Sequence, residues 1–142
     1  MTVDRRTFVG ACASALAWMA LPGCASVVAR TVPVTNNRID IALNQHPELL
    51  AQGGYLKVNA QGLDEVVYIL RRDDGSFTAL SPICTHRGCT VDVAGVNLVC
   101  PCHGSTYDRA GSVLKGPAER SLLSLPVQLR DGILTIDVSN LA

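Results

Sequence analysis

Two short segments hold the residues best able to do chemistry. Cys84-Thr85-His86-Arg87-Gly88-Cys89 and Cys100-Pro101-Cys102-His103-Gly104-Ser105-Thr106-Tyr107-Asp108 contain four of the six cysteines and two of the three histidines. Thiolates are soft ligands and imidazole is an acceptable nitrogen donor, so a thiol and a ring close together in both segments point to a bound metal. Three arrangements suit that donor set: an iron–sulfur centre, a zinc ion held for structure alone, or ordinary disulfides. The C-x-H spacing departs from the usual zinc pairs. Two disulfides would leave both histidines beside cysteines without a task.

The elements that must position these segments read as short strands. Arg38 to Leu43 and Tyr55 to Asn59 alternate, and Glu65 to Arg71 is a Val-Val-Tyr-Ile-Leu run that ends at the turn signal Asp73-Asp74-Gly75. Ser76 to Leu80 would return from that turn as a hairpin partner. Val91 to Val93 and Val96 to Val99 flank Ala94-Gly95, and Leu125 to Arg130 and Ile133 to Val138 flank Asp131-Gly132, the strongest hairpin signal in the chain. Only Pro47 to Gln52 could be helical, so the expectation is an all-β domain. His46, before Pro47, reads as a surface or cap residue.

The 142 residues allow one modest domain. With 12 Lys+Arg against 12 Asp+Glu there is no broad basic face to hold a phosphate backbone, which excludes nucleic acid as an expected partner. Residues 1–24 read as an export signal. Arg5-Arg6 precedes the uncharged stretch Gly10 to Gly23 and resembles the twin-arginine signal, whose substrates are usually exported folded. Thr7 to Gly23 is 17 residues, roughly 25 Å as a helix, short of a hydrocarbon core of about 30 Å. Leu21-Pro22-Gly23-Cys24 resembles the lipobox of bacterial lipoproteins, which makes Cys24 the lipidation candidate; the alternative is an uncleaved anchor helix. Both readings put the domain at a membrane surface. Residues 25–37 lack helical periodicity and read as a tether, leaving 38–142 for the domain.

The pattern C-x-H-x2-C followed by C-x-C-H-G-S-x-Y-D resembles the Rieske family. The resemblance spans about residues 38 to 138, with the diagnostic residues in the two segments and a later Gly-Pro. It implies a small antiparallel β-sandwich or barrel with a cluster-binding subdomain at one end. It also implies one [2Fe–2S] cluster, with Cys84 and Cys100 on one iron and His86 and His103 on the other. In the disulfide-containing branch, the remaining pair, Cys89 and Cys102, would join the two loops. Closing that 14-residue loop would contribute about 3 kcal/mol and would require an oxidising compartment, which export supplies.

Ser105 and Tyr107 match family positions whose hydroxyls donate to a bridging sulfide and to the sulfur of Cys84, and Gly116-Pro117-Ala118 resembles the loop that covers the cluster. Replacing two thiolates by neutral imidazoles raises the potential, here expected toward the upper part of a family range of about −150 to +300 mV. Each imidazole would keep a second ring nitrogen for a proton, coupling electron uptake to proton uptake. Arg87 and Arg109 flank the loops and could steer an acidic partner. The resemblance thus implies one-electron transfer in the periplasm by a membrane-tethered carrier. Its partners would be redox proteins: a quinol oxidase subunit, a cytochrome c or a molybdenum enzyme. The alternative is a small subunit of an oxidoreductase complex, either quinol–cytochrome c oxidoreductase-like or arsenite-oxidase-like.

Overall fold

A computed structural model describes residues 29–141. The export signal, Cys24 and the first residues of the expected tether lie outside the described residues. Twelve strands follow in order: β1 (Arg30–Val32), β2 (Arg38–Ala42), β3 (Tyr55–Ala60), β4 (Val66–Arg71), β5 (Phe77–Leu80), β6 (Asp92–Ala94), β7 (Asn97–Val99), β8 (Thr106–Tyr107), β9 (Val113–Lys115), β10 (Ser124–Leu125), β11 (Val127–Arg130) and β12 (Ile133–Asp137). Three sheets result, ordered β1-β3-β4-β5-β10, β11-β12-β2 and β6-β7-β8-β9. The all-β expectation holds.

The first two sheets close over one core. Alternation decides which side chains enter it: Ile39 and Ile41 from β2, Leu56 and Val58 from β3, and Leu134 and Ile136 from β12 are all buried there. Strand β4 runs Val-Val-Tyr-Ile-Leu before Arg71 because both faces of its middle are covered. Val67 and Ile69 enter this core, while Tyr68 and Leu70 enter a second core beneath the third sheet, with Leu80, Val91, Leu98 and Tyr107. The third sheet is an insertion between β5 and β10, and it carries both Cys/His segments. The cluster-binding subdomain therefore rests on the β4–β5 face of the base.

Three expectations need revision. Residues 30–32, assigned to the tether, form β1, which pairs parallel with β3 and packs Val32 and Val34 on the first core. A three-residue strand carries too little alternation to be seen in sequence, and its pairing is fixed by the otherwise open edge of β3. The single strand expected over Leu125 to Arg130 divides at Pro126, which has no N–H for a ladder: Leu125 pairs with β5, and Val127 begins the pairing with β12. Of the two readings of His46 the cap holds and the surface does not: it is buried, and it caps both neighbouring turns. It joins two 3-10 turns, Leu43–Gln45 and Pro47–Leu49, with Nδ1 3.2 Å from Oε1 of Glu48. The Asp131-Gly132 and Asp73-Asp74-Gly75 hairpins form as expected.

Candidate metal centre

Both Cys/His segments are built on one backbone design. The Cys84 N–H donates to the carbonyl of Cys89 (2.8 Å), and the Cys84 carbonyl accepts from the N–H of Gly88 (2.9 Å). Sixteen residues on, the Cys100 N–H donates to the carbonyl of Ser105 (2.8 Å), and the Cys100 carbonyl accepts from Gly104 (2.9 Å). Each loop thus turns back on its leading cysteine through bonds to the residues four and five positions later. The fourth position needs a left-handed backbone, and glycine meets that need twice, with φ of 77° at Gly88 and 74° at Gly104.

These paired turns bring the sequence-predicted residues together. Cys84 and Cys100 are buried free thiols, packed in the same core beneath the third sheet. The rings of His86 and His103 meet edge to face, with centroids 4.8 Å apart. His103 is exposed and His86 half-buried, which places the rings at the outer end of the site and the sulfurs at the inner end. Cys89 and Cys102 form the expected disulfide, with Cα atoms 6.5 Å apart. The Cys100 sulfur lies within 4.8 Å of both disulfide sulfurs, but those two are spent on each other, so Cys100 is the one free thiol of that trio. Removing the bridge by Cys89→Ala/Cys102→Ala should lower unfolding free energy by about 3 kcal/mol, read as a shift in urea midpoint. An unchanged midpoint would mean that the backbone turns alone hold the loops.

The Tyr107 hydroxyl lies 3.2 Å from the Cys84 sulfur and accepts from the Thr85 N–H at 3.3 Å. Burial pushes the Cys84 thiol up, yet hydrogen bonds from Tyr107, the His86 N–H, Cys100 and the Arg87 N–H outweigh it, so the thiol sits below its ordinary value. Burial and the neighbouring Cys84 push the Tyr107 hydroxyl up, which keeps it a donor. Ser105 is fully buried and accepts from the Ala118 N–H at 3.0 Å, leaving its own proton for another acceptor. That bond draws the third loop over the site, with Gly116 and Pro117, joined by a cis peptide bond, exposed on its rim and Ala118 buried beneath.

Sequence reasoning missed Thr85 and misread Arg109. The Thr85 hydroxyl donates to the carbonyl of Arg120 at 2.6 Å, which ties the first loop to the third. Arg109 does not flank the site as an exposed cation: it is buried, and its guanidinium donates to the carbonyls of Gly53, Gly54, Arg71 and Gly95. Neither position carries a spacing signal, because the partners lie far away in the chain.

Residues 42–127 match the family model for the Rieske [2Fe-2S] domain. The chain belongs to the Rieske family. It is similar to the cytochrome b6-f complex iron-sulfur subunit 2 of Nostoc, 39% identical over 94 residues that cover 63% of this chain and 53% of that one. It is also similar to the corresponding cyanelle subunit 1 of Cyanophora paradoxa, 40% identical over 84 residues that cover 55% of this chain and 35% of the relative. The chain thus spans about a third to a half of these curated relatives. Among solved structures, the plasma membrane Rieske protein of the cyanobacterium Synechocystis PCC 6803 is 34% identical with a TM-score of 0.55, over 64% of this chain and 92% of that chain.

A Rieske domain holds one [2Fe–2S] cluster, and the side chains present fit that group. Two free thiols supply soft ligands. The Nδ1 atom of His86 is buried without a hydrogen-bond partner, a costly state for a ring nitrogen unless it has a ligand to bind.

Proposed function

We propose that this Rieske domain carries single electrons in the periplasm, tethered to the cell membrane through its N-terminus. The cluster would be held by the thiolates of Cys84 and Cys100 and the imidazoles of His86 and His103. When bound, the cluster supplies a one-electron couple, and the chain's own residues set where and how easily that electron resides. His103 stands exposed at the tip, giving a short path to a partner. The two sulfurs stay buried beneath it, where water cannot compete for them. The observation that carries this reading is the pairing of two buried free thiols with two adjoining histidine rings, one of which has an unpartnered buried nitrogen.

Iron and acid-labile sulfide analysis of protein matured in its native host tests the reading. About two of each per chain, with a paramagnetic signal on one-electron reduction, is expected. A colourless protein containing zinc would overturn it. The tether is tested separately by cell fractionation: release of the full chain by osmotic shock, without detergent, would remove the membrane attachment.

Tyr107 tunes the couple. Its hydroxyl lies 3.2 Å from the Cys84 sulfur, and toward a thiolate there it can only donate, which favours the more negative reduced state. Tyr107→Phe should therefore lower the potential by about 40 mV, from roughly 1 kcal/mol for one lost hydrogen bond and one electron. Potentiometric titration reads this, and an unchanged potential would leave Tyr107 a packing residue only.

A second reading is favoured by the curated relatives, which are subunits of cytochrome b6-f complexes. Here the domain would work as a subunit of an oxidoreductase complex rather than as a free carrier. Purification from native membranes separates the two: a stoichiometric membrane partner supports the subunit, and elution alone supports the carrier.

A further inference from the structure

Charge is distributed unevenly about the tip. The three segments that enclose the site, residues 84–90, 100–105 and 113–121, contain Arg87, Lys115 and Arg120 against Glu119 alone. The rest of the described chain has seven Lys and Arg against ten Asp and Glu. A domain that is slightly acidic as a whole therefore carries a net positive end, and that end is where His103 is exposed.

The backbone places all three cations on segments that adjoin the histidine loops. Arg87 follows His86 directly. The Arg120 carbonyl accepts from Thr85, the residue on the other side of His86. Lys115 stands opposite Thr106 in the β8–β9 ladder, and the Thr106 hydroxyl donates to the carbonyl of Gly104, next to His103. All three are exposed, and among the described residues none has a carboxylate within ion-pairing distance. Glu119, beside Arg120, is the one acid within these segments and is exposed without an ion-pair partner among the described residues, so the segments keep a net charge of plus two. The next acids along the chain are otherwise engaged: Asp92 pairs with Lys57 at 3.7 Å, and the Asp108 carboxylate accepts from the Ala110 and Ser112 N–H groups. The same segments expose the uncharged Pro101, Cys102, Gly116 and Pro117.

We propose that Arg87, Lys115 and Arg120 form a docking ring around His103 for an acidic electron-transfer protein, one whose carboxylates surround the edge of its own redox centre. This rests on the reading that electrons leave through the exposed histidine end. Exposed unpaired charges add little to the stability of the fold, but they steer encounter strongly and set which partners approach.

The test follows oxidation of the reduced holoprotein by two small ions of opposite charge, ferricyanide and tris(phenanthroline)cobalt(III), across ionic strength. Ferricyanide oxidation should slow about fivefold between roughly 0.01 and 0.25 M salt, and cobalt oxidation should not slow. Arg87→Glu/Lys115→Glu/Arg120→Glu should reverse the two salt slopes while leaving the reduced-state paramagnetic signal unchanged. Arg38→Glu/Arg130→Glu, in the sheet remote from the loops, should leave both slopes as they were. Equal slopes for the two oxidants, or a cobalt reaction that falls with salt, would overturn the docking ring while the cluster signal upholds the electron-carrier reading. Protein that takes up no electron would sink both. Flat slopes together with binding to phosphatidylglycerol vesicles that the reversals abolish would assign the ring to a lipid surface instead.

Discussion

Cys100→Ser should yield a protein with no cluster iron, no visible colour and no paramagnetic signal on reduction, yet with its sheets in place. The expected effect is all or none because a serine oxygen is a hard, weakly acidic donor where the iron needs a soft thiolate. The loop itself should persist. Its two closing bonds, from Cys100 N–H to Ser105 and from Gly104 N–H to Cys100, are made by backbone alone. The disulfide between Cys89 and Cys102 also remains to hold the loops together. Iron content together with the far-ultraviolet spectrum reads both halves of this outcome. Cys102→Ser is the companion variant: it breaks the disulfide but should retain iron when freshly matured. Iron retained in Cys100→Ser, or lost only in Cys102→Ser, would mean that the ligand set is wrong. A misfolded Cys100→Ser would be recognised by its spectrum, and His103→Ala, at an exposed position, then gives the same test without disturbing the core.

The site was legible in the sequence to an unusual degree because its chemistry is local. Each loop closes on its own leading cysteine within six residues, so ligand types, the turning glycine and the disulfide partners all fall inside two short segments. Hairpins such as β11–β12 were legible for the same reason: the Asp131-Gly132 pair fixes turn and register together. Whatever depended on distant pairing was hidden. Strand β1 exists because the edge of β3, about 28 residues away, accepts it. Thr85 gains its role from a carbonyl 35 residues along the chain. Burial of a charged residue is the hardest feature to foresee, since an arginine surrounded by carbonyls and one surrounded by water look alike in a sequence. Arg109 is such a residue, and its four carbonyl partners make it a polar link between the inserted sheet and the base.

Arg109→Met should destabilise the domain by about 3 kcal/mol, a larger effect than any change at the exposed arginines. The guanidinium donates to Gly54 (3.1 Å), Arg71 (3.3 Å) and Gly95 (3.2 Å) as well as to Gly53. Those acceptors come from the approach to β3, the end of β4 and the β6–β7 turn, so one side chain fastens the inserted sheet to two strands of the base. Among the described residues no carboxylate bonds it. Burial pushes the guanidinium pKa down, countered by the fields of Asp73 and Tyr55, and the bond dipoles of four carbonyls replace the water that the charge has lost. Methionine fills much of the same volume but leaves those carbonyls without a donor, so the loss is in polar satisfaction rather than in packing. Arg109→Lys should fall between the two, because one ammonium cannot span acceptors arranged for a planar fork. Urea unfolding gives the free energies, and hydrogen exchange gives the location: opening should concentrate at the β6–β7 turn and the start of β3. Equal stability of the Met variant and the parent would show that water satisfies these carbonyls and that packing of Tyr68, Leu70 and Leu80 alone holds the site on its base.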